Sequence, residues 1–387
     1  MITEFAGLPL DDGTALVILL GLGLAVLIGV LVVFFIPVME IARFVHPIAY
    51  VKSTGTPFVE RREIYPLAEG ADPGELLAVL RARGVLGDMP PDAADLRRHL
   101  ATWHMQRLAT LQQAAPLSVG AFLEAAAMEF EIDTLKRAIM RKHLDSAPAG
   151  LEDELLPAGR MDPTTLRRIA EAAGMEEVAD IVAGAPYGRA FLDALPKYLA
   201  DWRVMPLSAA LDRFFYAELR QAVFRSPQSL REPLASYVGA RIDRANAATV
   251  LAARVAGTCR DEVMEHLIPG GLALDLDLLE HMADAPSIPD ALGVLEGTRY
   301  WPVVAPLVPA YETENDIVAI ISALEASFLE YAATLGGAYP LTVGPLLEHM
   351  AGLAYERRNL HVVLTGVLTG SPPDRIKRLL IVREAAA

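Results

Sequence analysis

Only one cysteine, Cys259, occurs in 387 residues. It has no internal partner, which excludes an internal disulfide framework and a Cys-rich zinc site and fits a reducing compartment. Cys259 itself is expected as a small buried side chain on a helix. Aromatic residues make up just 7% of the chain, and no stretch alternates apolar and polar residues for the length of a useful strand. Basic residues are in deficit, 34 Lys and Arg against 49 Asp and Glu, for a net charge of −15. That balance lacks the basic footprint of a nucleic-acid-binding chain. The Gly-rich phosphate loop is missing too: Pro269-Gly270-Gly271 is not followed by the Lys-Ser/Thr pair that such a loop needs, and these glycines are better suited to ending a helix. There is no HExxH, and the eight histidines are scattered. Three directly follow a glutamate (Glu265-His266, Glu280-His281, Glu348-His349), but neighbours on a helix point about 100° apart and do not converge on an ion. No metal, cofactor, catalytic group or small-molecule substrate is therefore expected.

What the chain does have is apolar residues, 53% of the total, with much Ala and Leu. That mix predicts an all-α fold. From Thr14 to Met39 no residue is charged. This is longer than the ~20 residues that cross a ~30 Å hydrocarbon layer, so residues 14–39 are read as a transmembrane helix after a short extracytoplasmic segment, 1–13. A cleaved signal peptide fits poorly, because Lys and Arg are missing before the apolar run. Arg43, Lys52, Arg61 and Arg62 follow it, and the positive-inside rule then places the large C-terminal part on the cytoplasmic face of the cell membrane as a single-pass protein. Gly21, Ala25 and Gly29 form a small-residue stripe that lets another membrane helix approach. Residues 40–60, with Pro47 and Lys52-Ser53-Thr54-Gly55-Thr56-Pro57, read as a connector.

The rest of the chain repeats itself. In Glu356-Arg357-Arg358-Asn359-Leu360 the acid and the amide are three residues apart, on one strip of a helix whose apolar face continues through Val363, Leu364, Val367 and Leu368. An acid column (Glu131, Asp243, Glu356), a small polar column (Thr134, Asn246, Asn359) and apolar columns recur at steps of 112 and 113 residues. Leu155-Leu156-Pro157-Ala158-Gly159 precedes Leu267-Ile268-Pro269-Gly270-Gly271 by 112; Tyr187 precedes Tyr300, and Leu211 and Phe215 precede Leu324 and Phe328, by 113. The period is too long for a solenoid, so each copy is a small helical domain: unit 1 at 61–158, unit 2 at 159–270, unit 3 at 271–387. Within unit 1, helices are expected at 75–83, 93–113 and 118–144, and Asp162-Pro163-Thr164 should cap the first helix of unit 2. Three copies of an acid are better explained as a duplicated structural contact than as general acid–base machinery.

These residues resemble a known family, the central-stalk subunit of rotary ATPases: the C subunit of archaeal-type (A-type) ATP synthases and the d subunit of eukaryotic V-type ATPases. The resemblance rests on the triplication, the acid-x-x-Asn-Leu helix start at Glu356 to Leu360 and its counterpart at Ile242 to Asn246, the Leu267 to Gly271 turn, Gly366 to Gly370 followed by Asp374-Arg375-Ile376, and the opening Pro47-Ile48-Ala49-Tyr50-Val51. It implies three pseudo-threefold-related units forming a funnel. The funnel would sit on the membrane rotor ring, seat the central shaft and couple ATP turnover to ion transport, without chemistry of its own. An acidic, apolar-lined socket would suit a basic shaft. The family members it resembles are soluble, so the N-terminal membrane helix is a departure. Either it drops into the lipid-filled bore of the ring, or the chain is a membrane-anchored scaffold paralogue outside the rotary machine. An enzyme using the acid column is a third reading.

Overall fold

The computed structural model describes residues 12–55, 57–70, 73–82, 84–85, 93–144 and 158–383. Among these, helices and two isolated backbone bridges account for the regular structure, and there is no strand. The expectations for residues 1–11 and for Leu155-Leu156-Pro157 lie outside them.

Helix α1, Asp12–Ser53, is 42 residues long, or about 63 Å at ~1.5 Å per residue. The chain then forms α2 (Arg61–Glu69), α3 (Pro73–Ala82), α4 (Ala93–Ala114) and α5 (Leu117–His143). It continues through α6 (Pro163–Glu171), α7 (Met175–Val182), α8 (Gly188–Asp201), α9 (Met205–Arg225) and α10 (Gln228–Ala256). Next come α11 (Arg260–Met264), α12 (Leu276–Asp284), α13 (Ile288–Gly293), α14 (Trp301–Val304), a 3-10 turn (Ala305–Leu307) and α15 (Val308–Glu314). The last are α16 (Ile317–Ala338), α17 (Gly344–Leu368) and α18 (Pro373–Leu379). The region read as a connector is different from expected: α1 runs straight through it to Ser53 before the chain turns at Gly55, whose φ is +77°. Proline inside a helix costs a hydrogen bond. Here Pro47 is buried, and Phe44, Ile48 and Val51 around it pack into the core, so tertiary contacts outweigh that cost.

Six long helices form three hairpins, α4/α5, α9/α10 and α16/α17. Each packs on the next in chain order, and α17 returns to α4, so the circuit closes. Outside it, α2, α6 and α12 are each nine residues long. Each lays an i, i+3, i+4 apolar face against the second half of a long helix. Leu166, Ile169 and Ala170 share a core with Leu135, Ala138 and Ile139. Leu279, Met282 and Ala283 do the same with Ala247, Val250 and Leu251. In the third instance Ile64 and Leu67, from the start of the chain, meet Leu360, Val363 and Leu364 from its end. The junction is sealed by backbone: Arg383 N donates to Val59 O at 2.9 Å, and Arg61 N to Arg383 O at 3.4 Å. Asp162 caps α6 through Thr165 N, and Asp275 caps α12 through Leu278 N.

Candidate functional site

The acid and amide columns sit where each long helix meets the turn that follows it in space. Asn246 Nδ2 donates to Ile268 O at 2.7 Å while its Oδ1 accepts from Ile268 N at 2.9 Å. Asn359 does the same with Ile381, again 22 residues on, at 2.7 and 2.9 Å. A side-chain amide matches the donor and acceptor of one peptide unit, which a buried turn would otherwise leave unsatisfied. Thr134 is buried at the corresponding place in α5. Asp243 accepts from Ala273 N (2.8 Å), Leu274 N (3.1 Å) and the Tyr300 hydroxyl (2.8 Å). Glu131 accepts from the Tyr187 hydroxyl at 2.7 Å. Glu356 accepts from Phe58 N at 3.0 Å and pairs with Arg107 at 2.9 Å. A Cβ on Gly159 or Gly271 would collide with the carboxylate of Glu131 or Asp243, so glycine at both turns is a condition of the acid's fit.

The acids therefore have three separate local tasks. Burial pushes the Asp243 carboxyl up from its ordinary range, and the backbone amides pull it back. Glu131 lines a cavity of about 320 Å³ with Gly159, Arg160 and Pro186, while Asp243 and Glu356 line neither that cavity nor the one inside the helical circuit. Among the described residues no three His, Cys, Asp or Glu side chains are grouped to hold a metal. Cys259 is exposed, next to the first residue of α11, rather than buried on a helix. The short turn from Gly257 to Cys259 puts it outside any apolar face, a break the surrounding Ala-rich pattern does not announce.

Inside the circuit, α4, α5, α10, α16 and α17 surround a cavity of about 290 Å³. Much of its lining is apolar, including Leu111, Leu123, Phe130, Phe328 and Met350, but its charged groups are of both signs rather than acidic alone. Arg241, Arg244, Arg357 and Arg358 face Glu129, Asp133 and Glu325. Arg241 pairs with Glu129, and Arg244 with Glu325 at 2.5 Å; the Tyr355 hydroxyl also donates to Glu325. The Nε atoms of Arg244 and Arg357 are buried without a hydrogen-bond partner. His104, on the same wall, is held down to about 3 by burial and by Arg357 and Arg107, and His349 to about 4 by burial and Arg107. Both are neutral at pH 7. The local positive character escaped notice in the sequence because net charge averages over the whole chain.

Two described helices are long and apolar enough to cross a membrane, α1 and α16. Helix α16 packs on α10 and α17, with Ile320, Leu324, Phe328 and Ala332 buried. In α1, described side chains from Leu16 to Met39 are exposed, and no neighbouring atom lies within 4 Å of a Cβ built on Gly21 or Gly29. Ala25 is exposed as well. The stripe is thus open to an outside partner. Below it, Glu40 accepts from the Ser229 hydroxyl at 2.7 Å, tying α1 to the first turn of α10.

A profile of the ATP synthase (C/AC39) subunit family matches residues 47–379. The A-type ATP synthase C subunit of Methanobrevibacter smithii is 24% identical over 92% of this chain and 93% of its own length. That of Methanosphaera stadtmanae is 24% identical over 98% of each chain. That of Desulfurococcus is 30% identical over 62% of this chain and 63% of its own. The span aligned with the Methanosphaera protein takes in the residues of α1, whereas the family profile begins at residue 47, inside that helix.

Proposed function

The chain belongs to the ATP synthase (C/AC39) subunit family, a non-catalytic part of its complex, and from that premise we propose that it is the central-stalk rotor subunit of an archaeal-type or V-type rotary ATPase. It seats the shaft on the membrane rotor ring and so couples ATP turnover to ion transport. The observation that carries this reading is the closed circuit of three hairpins, bolted at three corresponding places. A part that transmits torque must resist opening at every joint, and a covalent break between chain ends is a weak point unless other contacts bridge it. Here Phe58, Val59 and Ile381 bridge it through Glu356, Asn359 and Arg383. We take the three units, 61–158, 159–270 and 271–387, to be related by a pseudo-threefold axis and to form a funnel around it. Glu131, Thr134, Asp243, Asn246, Glu356 and Asn359 are its structural joints.

Helix α1 is the single membrane span of this reading, set in the bore of the ring with Gly21, Ala25 and Gly29 available for packing. The Arg-rich cavity favours a shaft end bearing carboxylates rather than a basic one. A scaffold outside the rotary machine has no specific observation in its favour, since a relative matched through α1 is itself named for an A-type ATP synthase. The test is affinity purification of the full chain from its native membrane in mild detergent. Ring, shaft and catalytic subunits should come with it; recovery of the chain without any of them overturns the proposal.

A further inference from the structure

The duplicated joints account for the acid and the amide that recur on the long helices. They do not account for the arginines beside them. One residue after each joint acid stand Ile132, Arg244 and Arg357, and two after it Asp133, Ala245 and Arg358. Two residues before it stand Glu129, Arg241 and Ala354. A side chain that tied each unit to the next would occur three times. These charges occur once or twice in each column, and all of them line the cavity inside the circuit. They are sorted by wall: α5 brings the two acids, α10 and α17 two arginines each.

Pairing across the cavity leaves positive charge over. Arg241 is taken by Glu129, and Arg244 by Glu325 of α16. Asp133 is the remaining carboxylate of the lining, 3.9 Å from Arg357, at the outer limit of an ion pair. Among the described residues Arg358 has no salt-bridge partner, and neither Arg357 nor Arg358 donates a side-chain hydrogen bond. Each guanidinium carries five N–H donors. Nε of Arg244, Nε of Arg357 and Nδ1 of His104 are buried without a partner, and such atoms call for a water or an ion. Two of the cations are also held in place. Arg357 lies 5.0 Å from the centroid of the Phe130 ring and Arg244 5.7 Å from that of Phe328. Burial holds the Arg357 guanidinium below its usual range, as happens where compensating charge is short. Water would solvate these donors, but it would leave the excess charge inside a largely apolar wall.

We propose that the cavity binds a tetrahedral oxyanion of the phosphate class, held by Arg357 and Arg358 with Arg244 beside them. A planar guanidinium fork matches two oxygens of such an anion at once, which a halide cannot offer. A space of about 290 Å³ takes the anion with several of its waters. Asp133 competes with it for Arg357, since two negative groups cannot share that cation without repelling each other. The inference goes beyond the stalk role and does not rest on it. A carboxylate of the shaft would reach the same guanidinium groups, and the free anion compensates them until one does.

The test is titration calorimetry of the full chain in mild detergent with inorganic phosphate, chloride and acetate at matched ionic strength. Phosphate should give a saturable one-site heat that the other two do not. Arg358→Gln should weaken phosphate binding about tenfold or more, the size of one lost charge-assisted contact. Asp133→Asn should strengthen it several-fold. A gain in affinity cannot come from a damaged fold, so the second variant guards the reading of the first. The absence of a saturable phosphate heat overturns the proposal. Binding that neither variant moves also overturns it, by placing the anion elsewhere on the chain. Acetate bound as tightly as phosphate overturns it too, and assigns the cavity to a carboxylate of a partner. None of these outcomes bears on co-purification of ring and shaft, so failure here and failure of the stalk reading are told apart.

Discussion

Asn246 and Asn359 each hold a peptide unit from inside the core, giving to its carbonyl and receiving from its amide. Replacing Asn246 by alanine removes the side-chain partner of two buried backbone groups, and replacing Asn359 removes that of the Ile381 pair together with the bond to Phe58 O. The expected loss is about 2–4 kcal/mol in denaturant unfolding, against under about 0.5 kcal/mol for alanine at an exposed polar site such as Gln221. Equal losses at the two kinds of site would deny the asparagines a structural role. His104 and His349 give a second residue-level expectation. Their folded values, about 3 and about 4, lie below the ordinary 6.5, so the unfolded chain binds more protons between. Their stabilising contribution is whole above pH 6.5 and falls as acid is added, by about 2 kcal/mol per histidine at pH 5. Asp133, Asp212 and Asp243, raised by burial, work in the opposite direction over the same acid range. The His104→Leu, His349→Leu double variant should therefore lose less stability than the parent between pH 6.5 and 5; parallel curves would show that the two rings do not titrate as their burial implies.

At the scale of the helix, α1 is the element whose first half is exposed among the described residues. Changing Gly21, Ala25 and Gly29 together to leucine should weaken membrane-level association without lowering the melting temperature of the helical circuit, since lipid-facing leucine does not touch that core. Unchanged recovery of the complex would show the stripe to be incidental. Much of the element pattern was legible in the sequence. Helices expected at 75–83, 93–113 and 118–144 occur at Pro73–Ala82, Ala93–Ala114 and Leu117–His143, because caps, prolines and the 3.6-residue period are local signals. The continuation of α1 through Pro47 was not legible, because burial of Phe44 and Ile48 against distant helices decides it. Cys259 was missed for a related reason. Its exposure follows from a three-residue turn between helices, Gly257 to Cys259, which composition cannot distinguish from a buried face.

At the scale of the whole molecule, the joint between chain ends is the least local feature. The duplicated motif marks which residues of each long helix face a turn, but Glu356 and Asn359 find part of theirs 298 and 301 residues upstream, at Phe58. A repeat read along the chain stops at its last copy; only the closed circuit shows that the first copy completes the third. The four-arginine cavity was hidden likewise, being assembled from α10 and α17. A chain stopped after Gly370 loses α18, Ile381 and Arg383, which cover α2. Amide exchange should then speed up in α2 and α3 while α6 to α9 keep their protection; uniform protection would mean that the closure carries no stability.

The central claim is a closed three-unit body on the rotation axis, above the ring and below the shaft. A cryo-electron microscopy map of the complex purified through this chain tests it most directly. The account predicts α1 density along the bore of the ring, the three hairpin tips towards the membrane and a shaft end directed at the arginine-lined cavity. A map placing the chain at the periphery, or a complex without rotor subunits, would contradict it.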